Sequence, residues 1–305
     1  MSVSVDGEHN DVQFLRALVK VYLQSAVEES DMHKKSAKLD KVLKFIDAKG
    51  SAYPTDARLN MLRSQVLHAL APLKQEHSLQ FYESSLKSYQ SSLGMCSDEY
   101  ASAKVHLRIA IVADEMIRSQ QQQKGVIDAN LASTVVSNVL RAMRLGSKEA
   151  RLHFPRILDI SGQVEKAAVI FKKEIDLVPA WMTLKWVPQL ISVLDKKAGE
   201  CSSIVLTRLA DAYPQALYYP LRTVQGDVHS KYYQDLIRRV SSKSLDEFIA
   251  AMQLLSFPEM QFKDAIKKLV PNAKPIGEHI VQGLVNDAQP FIGKYRIQKP
   301  QPSDL

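Results

Sequence analysis

The sequence predicts an all-α fold, an α-solenoid of degenerate helical-hairpin repeats of the tetratricopeptide or HEAT type, and three observations support that reading. Apolar residues recur at helical spacing along most of the chain, with nowhere a clean period-2 run. The connections between the periodic stretches are short, which makes successive helices antiparallel neighbours. Glycine is scarce, at 11 of 305 residues, while Leu, Ala, Lys, Gln and Ser are plentiful. Straight-chain residues lose little rotamer freedom in a helix. A compact multi-helix bundle is the alternative architecture.

The pattern yields roughly fourteen or fifteen helices. The first starts at Asp11, after a disordered residue 1–10 segment, and puts Phe14, Leu15, Leu18, Val19, Tyr22 and Leu23 on one face. The second buries Leu39, Val42, Leu43 and Ile46, with Lys34, Lys38, Lys41 and Lys44 around the other side. Gly50 is expected to close it, because glycine reaches the left-handed conformation cheaply. Tyr53-Pro54-Thr55 opens a third helix, which Pro72 ends or kinks. A fourth runs from about Glu76 to Gly94, and Ser97 or Asp98 caps a long fifth. Gln120 to Gln123 reads as a surface connection. A sixth helix starts at Asp128 and ends in Leu145-Gly146-Ser147, where Gly146 as the residue after the helix and Ser147 as the next N-cap predict a tight corner.

Both tryptophans lie in Val178–Arg222. Leu184, Val187, Leu190, Ile191 and Leu194 can share one helical face there, and a second set at Val205, Leu206, Leu209 and Ala210 ends at Tyr213-Pro214. The expectation is a helical hairpin with a heavy aromatic core, in which Trp181 and Trp186 fill space between layers. Further on, Ser244 to Glu247 and Ser256 to Glu259 have the form of capping boxes. A last amphipathic stretch spans Ile276 to Val285, and the polar tail 288–305 is expected to be disordered.

Composition narrows the function. A net charge of +7 from 40 basic and 33 acidic residues is a mild excess, and direct DNA contact is not expected from it. The lysine face at 34, 38, 41 and 44 reads as the solvated back of a helix, since no aromatics interleave with it. Cys96 and Cys201 are too few and too far apart for a zinc cluster or a disulfide framework. No signal-type N-terminus and no membrane-length apolar run is visible. Nucleophile elbow, phosphate loop and kinase signatures are missing, and the eight histidines show no ligand spacing. Asp114, Glu115, Glu174 and Asp176 read as ordinary solvated charge beside basic residues. No catalytic residue, metal, cofactor or small-molecule ligand is therefore expected. On residues alone, an autonomous helical-repeat adaptor for a protein partner is one function this sequence allows.

Two segments carry a family resemblance. The first is Met143–Ile160, with its Gly-Ser-x-Glu-Ala-Arg corner at Gly146 and Ser147. The second runs from Val178 to Arg222, with Trp181 and Trp186, then Leu194-Asp195-Lys196, then Tyr213-Pro214-Gln215-Ala216 ahead of Tyr219-Pro220. Phe257-Pro-Glu-Met-Gln-Phe-Lys-Asp264 adds a third match. Together they resemble the FAT region of phosphatidylinositol-3-kinase-related kinases, in the branch that acts on DNA ends, over about residues 143–264. Kinases of the TOR and TRRAP type share a looser Tyr-Pro-Gln-Ala element. The resemblance implies a FAT-type repeat region over 11–287 that clamps a kinase domain in cis. It also implies a Ku-type DNA-end complex as partner, a role in end-joining repair, and a nuclear location. The chain stops soon after Tyr295, about where a kinase domain would begin. It carries none of the ATP or metal residues, so no kinase activity is expected of it alone.

Overall fold

The computed structural model describes residues 5–224, 230–256 and 262. The described residues form thirteen α-helices joined by turns and five short 3-10 segments, and no strand occurs among them. They fall into two compact units, residues 1–241 and 242–305. The first unit holds α1 (Val5–Val27), α2 (Met32–Gly50), α3 (Ala57–Leu70), α4 (Ser78–Leu93), α5 (Glu99–Lys124) and α6 (Ala129–Arg144). It continues with α7 (Phe154–Gln163), α8 (Glu165–Glu174), α9 (Val187–Ser192), α10 (Gly199–Ala212), α11 (Pro214–Thr223) and α12 (Lys231–Val240). The second unit contributes α13 (Lys243–Ser256).

Successive helices of the first unit pack on one another except α8 and α9, and α1 also meets α3, α6 meets α8 and α10 meets α7, α8 and α12. Contact confined to near neighbours in sequence is the hallmark of an α-solenoid, and the fold is of that all-α type. Two separate apolar clusters serve the first helices. Leu15, Val19, Leu39, Val42, Ile46, Leu59 and Val66 close one apolar cluster between α1, α2 and α3. Tyr82, Tyr89, Val105, Ile109 and Val112 close the next, between α4 and α5. Among the described residues, no helix is long and apolar enough to cross a membrane.

Aspartates start the helices. Asp31, Asp56, Asp98 and Asp128 each accept backbone amides of the first turn of α2, α3, α5 and α6. Their carboxylates satisfy amides that have no partner inside the helix. Asp56, just after the Tyr53-Pro54-Thr55 opening, also pairs with Arg16 of α1.

Several expected boundaries move. The first helix begins at Val5 rather than Asp11, so part of the segment expected to be disordered is helical. Gly50 stays in the right-handed helix, and its use is close packing: a Cβ there would lie 3.0 Å from a Leu59 methyl. The glutamines 120–123 are not a connection but the last turns of α5, as their good helix propensity allows. The stop comes at Gly125, with φ of 69°. Pro72 sits in a 3-10 turn, Ala71–Leu73, directly after α3. Ser244 is already inside α13, which starts at Lys243, so it does not cap. Apart from Ser256 and Phe262, the Ser256–Glu259 box and the Phe257–Asp264 motif lie outside the described residues, as do the Ile276–Val285 stretch and the 288–305 tail.

Candidate functional site

Two features positioned by α6 to α12 carry the motifs: a corner at Gly146 and a bend from Val178 to Arg222. At the corner, Ser147 N–H donates to Ala142 O at 3.0 Å and Gly146 N–H to Met143 O at 2.9 Å. That pair of bonds is a Schellman ending, and it needs the left-handed backbone Gly146 adopts, φ 84°. The Ser147 hydroxyl then accepts the Ala150 amide at 3.2 Å and starts the 3-10 turn Ala150–His153 that leads into α7.

The bend departs from the expected pair of long helices. Residues Ala180–Trp186 form a 3-10 segment and only Val187–Ser192 is α-helical. Pro188 explains the change. It has no N–H to give to the Leu184 carbonyl four residues back, so that carbonyl is taken by Val187, three residues on. Val187, Leu190, Ile191 and Leu194 still turn inward and are buried, while Leu184 is only half-buried. A tight turn follows, in which Gly199 N–H donates to Lys196 O at 2.9 Å. Gly199 passes so close to Leu194 that an added Cβ would lie 2.2 Å from its carbonyl oxygen. Gly162 of α7 presses on the same turn, its Cβ position 2.9 Å from Ala198 N.

The aromatic core expected here is not what fills the bend. Trp181 is 44% exposed, Tyr213 38% and Tyr219 63%. Pro214, Gln215 and Ala216 are exposed as well, as are Asp195 and Lys196, and Pro220 is half-buried inside α11. Packing comes mostly from aliphatic residues, with Tyr218 the aromatic exception beside Leu217 and Leu221 on the buried face of α11. The two tryptophans separate. Trp181 faces solvent, whereas half-buried Trp186 donates its indole N–H to the Arg151 carbonyl at 3.0 Å.

That bond belongs to a set that residue spacing did not reveal. Arg208 of α10 reaches the carbonyls of Ile175 at 2.6 Å, Asp176 at 3.1 Å and Val178 at 2.8 Å. The Ser202 hydroxyl donates to Leu190 O at 2.6 Å, and Tyr233 of α12 to Leu221 O, also at 2.6 Å. Each acceptor lies at a turn or helix end, where carbonyls have lone pairs to spare, although Arg151 O and Ile175 O also accept the Phe154 and Val178 amides. The bend is thus fixed by side chains closing backbone ends across 12 to 35 residues.

Of the carboxylates singled out in the sequence, Asp114 is buried in an ion-pair network, Glu115 and Glu174 are half-buried and bonded, and Asp176 is solvated as expected. Asp114 is buried and shared between Arg118 at 2.7 Å and Arg156 of α7 at 2.9 Å. Burial pushes the Glu115 carboxyl up, but the His68 ring and the Tyr82 hydroxyl hold it below its ordinary range on balance. Glu174 accepts from the Ser137 hydroxyl at 3.0 Å, and exposed Asp176 pairs with Arg208. The lysines at 34, 38, 41 and 44 are exposed, with Lys38 paired to Glu29 at 2.6 Å. Burial pushes the Cys201 thiol up to about 11, so it is protonated near neutrality and a poor nucleophile. No metal-ligating cluster occurs among the described residues.

No family model matches the chain. It is 30% identical over 176 residues to the DNA-dependent protein kinase catalytic subunit of Canis lupus familiaris, which covers 52% of this chain and 4% of that protein. It is 29% identical over 224 residues to the Xenopus laevis protein of the same name, covering 63% and 5%. It is 36% identical over 88 residues to the SAGA complex/NuA4 acetyltransferase complex subunit Tra1 of Schizosaccharomyces pombe, covering 27% and 2%. The chain therefore spans only a few per cent of the length of the curated relatives it matches. Over about half its length this chain is a helical region homologous to the phosphatidylinositol-3-kinase-related kinases, FAT-like in its motifs and its all-α fold.

Proposed function

We propose that the chain serves as a FAT-type scaffold segment of a protein like the DNA-dependent protein kinase catalytic subunit. In this reading it supports the joining of broken DNA ends in the nucleus and transfers no phosphate itself. The observation that carries it is the identity with that catalytic subunit over about half the chain, 30% with the canine protein. A bend held by side-chain bonds to turn carbonyls suits the role, because a stack that keeps its corners rigid passes a displacement at one end to the other. Its partners would be a kinase domain in cis and a Ku-type DNA-end complex.

The test is affinity purification of the tagged chain from its own cells after double-strand breaks are induced, paired with depletion and a linear-plasmid joining assay. The expected result is recovery of a Ku-type heterodimer with kinase-domain sequence, and fewer joined ends on depletion. Unchanged joining on depletion, with no such partner recovered, would overturn the reading. The purified chain incubated with labelled ATP and a serine-containing peptide is expected to transfer no label.

A further inference from the structure

Three adjoining cavities in the first unit run together along the N-terminal half of α5. The first lies between α1, α3 and α5 and shares Tyr100, Lys104 and Glu149 with the second. The second follows the Gly146 corner and shares Leu145 with the third, which lies against α6 and the end of α8. The result is one groove crossing several layers of the helical stack.

Its charge is uneven. Lys20, Arg58, Arg108, Lys148, Arg144 and Lys173 line it and are all exposed. None of the six forms an ion pair among the described residues. Of the four acids along the groove, Asp98 is committed to the Ala101 amide and Glu174 to Ser137 and Arg141. The four carboxylates face eight cations in all, the six with Lys104 and Arg141. At the centre stands Tyr100, 71% exposed, with Lys104 Nζ 4.2 Å from its ring centroid. Leu145 and the exposed Leu177 give the far end an apolar floor.

We propose that this groove docks an extended acidic peptide segment of a protein partner, its carboxylates on the six cations and its apolar side chains on Tyr100 and the Leu145–Leu177 floor. Charge complementarity selects the sign of the occupant, and unpaired cations can engage carboxylates without first breaking an internal bridge. A nucleic acid fits less well. Its unbroken row of phosphates would meet Glu99 and Glu149, and a single exposed aromatic offers no series of stacking platforms. A peptide can alternate charge and apolar groups along its length.

The test is fluorescence anisotropy of the intact chain with a labelled peptide of roughly ten residues alternating Glu and Leu, long enough to cross more than one cavity. The groove variant is Arg58→Glu with Arg108→Glu. The control is Lys41→Glu with Lys44→Glu, which makes the same charge change on the exposed side of α2. Lys148→Glu, on the exposed corner, replaces the groove variant if circular dichroism finds that one unfolded. The expected result is binding at low salt, weakened roughly tenfold or more in the groove variant and little changed in the control. No binding at low salt, or equal losses in both variants, would sink the proposal. So would a duplex oligonucleotide that outcompetes the peptide and loses affinity in the groove variant alone.

Discussion

The Trp186 indole N–H donates to the Arg151 carbonyl at 3.0 Å, tying the 3-10 segment before α9 to the turn that leads into α7. Two elements 35 residues apart are thereby joined by one hydrogen bond. Trp186→Phe keeps most of the ring and removes the indole donor, leaving the Arg151 carbonyl with the Phe154 amide alone. The expected loss is about 1 kcal/mol, read as a lower urea midpoint at unchanged slope. Trp181→Ala, at a residue facing solvent, should cost less than about 1 kcal/mol. Equal losses at the two tryptophans would mean that aromatic bulk, not the bond, matters here.

The two glycines of the corner and the bend should fail for different reasons. At Gly146 nothing lies within 4 Å of an added Cβ, so Gly146→Ala meets only the backbone penalty of its positive φ, about 1–2 kcal/mol. At Gly199 the conformation is ordinary, but the Cβ would lie 2.2 Å from the Leu194 oxygen, and the turn must open. Gly199→Ala is expected to cost more than about 2 kcal/mol. Gly146→Asn separates the two causes. Asparagine tolerates the left-handed region, so this change should recover part of the loss at the corner. Thermal melts of the three variants check the order.

How much of this was legible follows from the range of each interaction. Asp98, Asp128 and the Gly146–Ser147 corner could be read because a cap and a helix stop are made by residues two to five apart. The 3-10 segment at Ala180–Trp186 was legible in principle, since Pro188 stands in the sequence, but the apolar spacing of Leu184 and Val187 suits an α-helix equally well. The Asp114–Arg156 bridge and the Arg208 bonds join residues 42 and 30 to 33 positions apart. No periodicity reports such partners, so Asp114 looked like any other surface carboxylate. The groove escaped for the same reason: its cations come from α1, α3, α5, α6, α8 and the Gly146 corner, and form a site only once the helices stack.

Asp114 holds α5 and α7 together through Arg156 while also binding Arg118 in its own helix. Its side chain is 10% exposed and that of Arg156 26%, so solvent screens the pair only in part. Asp114→Asn keeps the shape and removes the charge, leaving the Arg156 guanidinium with Asp159 as its remaining anion. A loss of about 2 kcal/mol is expected, below the figure for a fully buried pair because the bridge to Asp159 persists. The paired change Asp114→Asn with Arg156→Gln should be less damaging than the sum of the two singles. Strict additivity in that double-mutant cycle would show that the bridge contributes nothing.

Tyr89 offers a gain. It is fully buried between α4 and α5, and its hydroxyl has no hydrogen-bond partner among the described residues. Burial pushes its pKa up, so the group stays neutral. An unpaired buried hydroxyl costs free energy that phenylalanine avoids. Tyr89→Phe is therefore expected to be neutral or stabilising by about 1 kcal/mol. A clear drop in melting temperature would mean that the hydroxyl is satisfied in solution.

Acid should loosen the stack before it reaches the carboxylates. His106 is buried on α5 with Nδ1 2.7 Å from the Asn138 side-chain oxygen. Burial pushes its pKa below the ordinary histidine range, and Arg141 pushes the same way against the bond to Asn138. Burial also lowers His153, although Asp114 opposes it. With folded pKa values depressed, the unfolded chain binds more protons wherever these histidines titrate. Their share of stability is complete above an unfolded pKa of about 6.5 and is lost as pH falls toward the folded values. Urea midpoints should drop from pH 7.5 to 5.5, by at most about 1.4 kcal/mol per pH unit for each histidine. His106→Gln keeps a donor for Asn138 but cannot titrate, so it should flatten that slope. An unchanged slope would assign the acid sensitivity elsewhere.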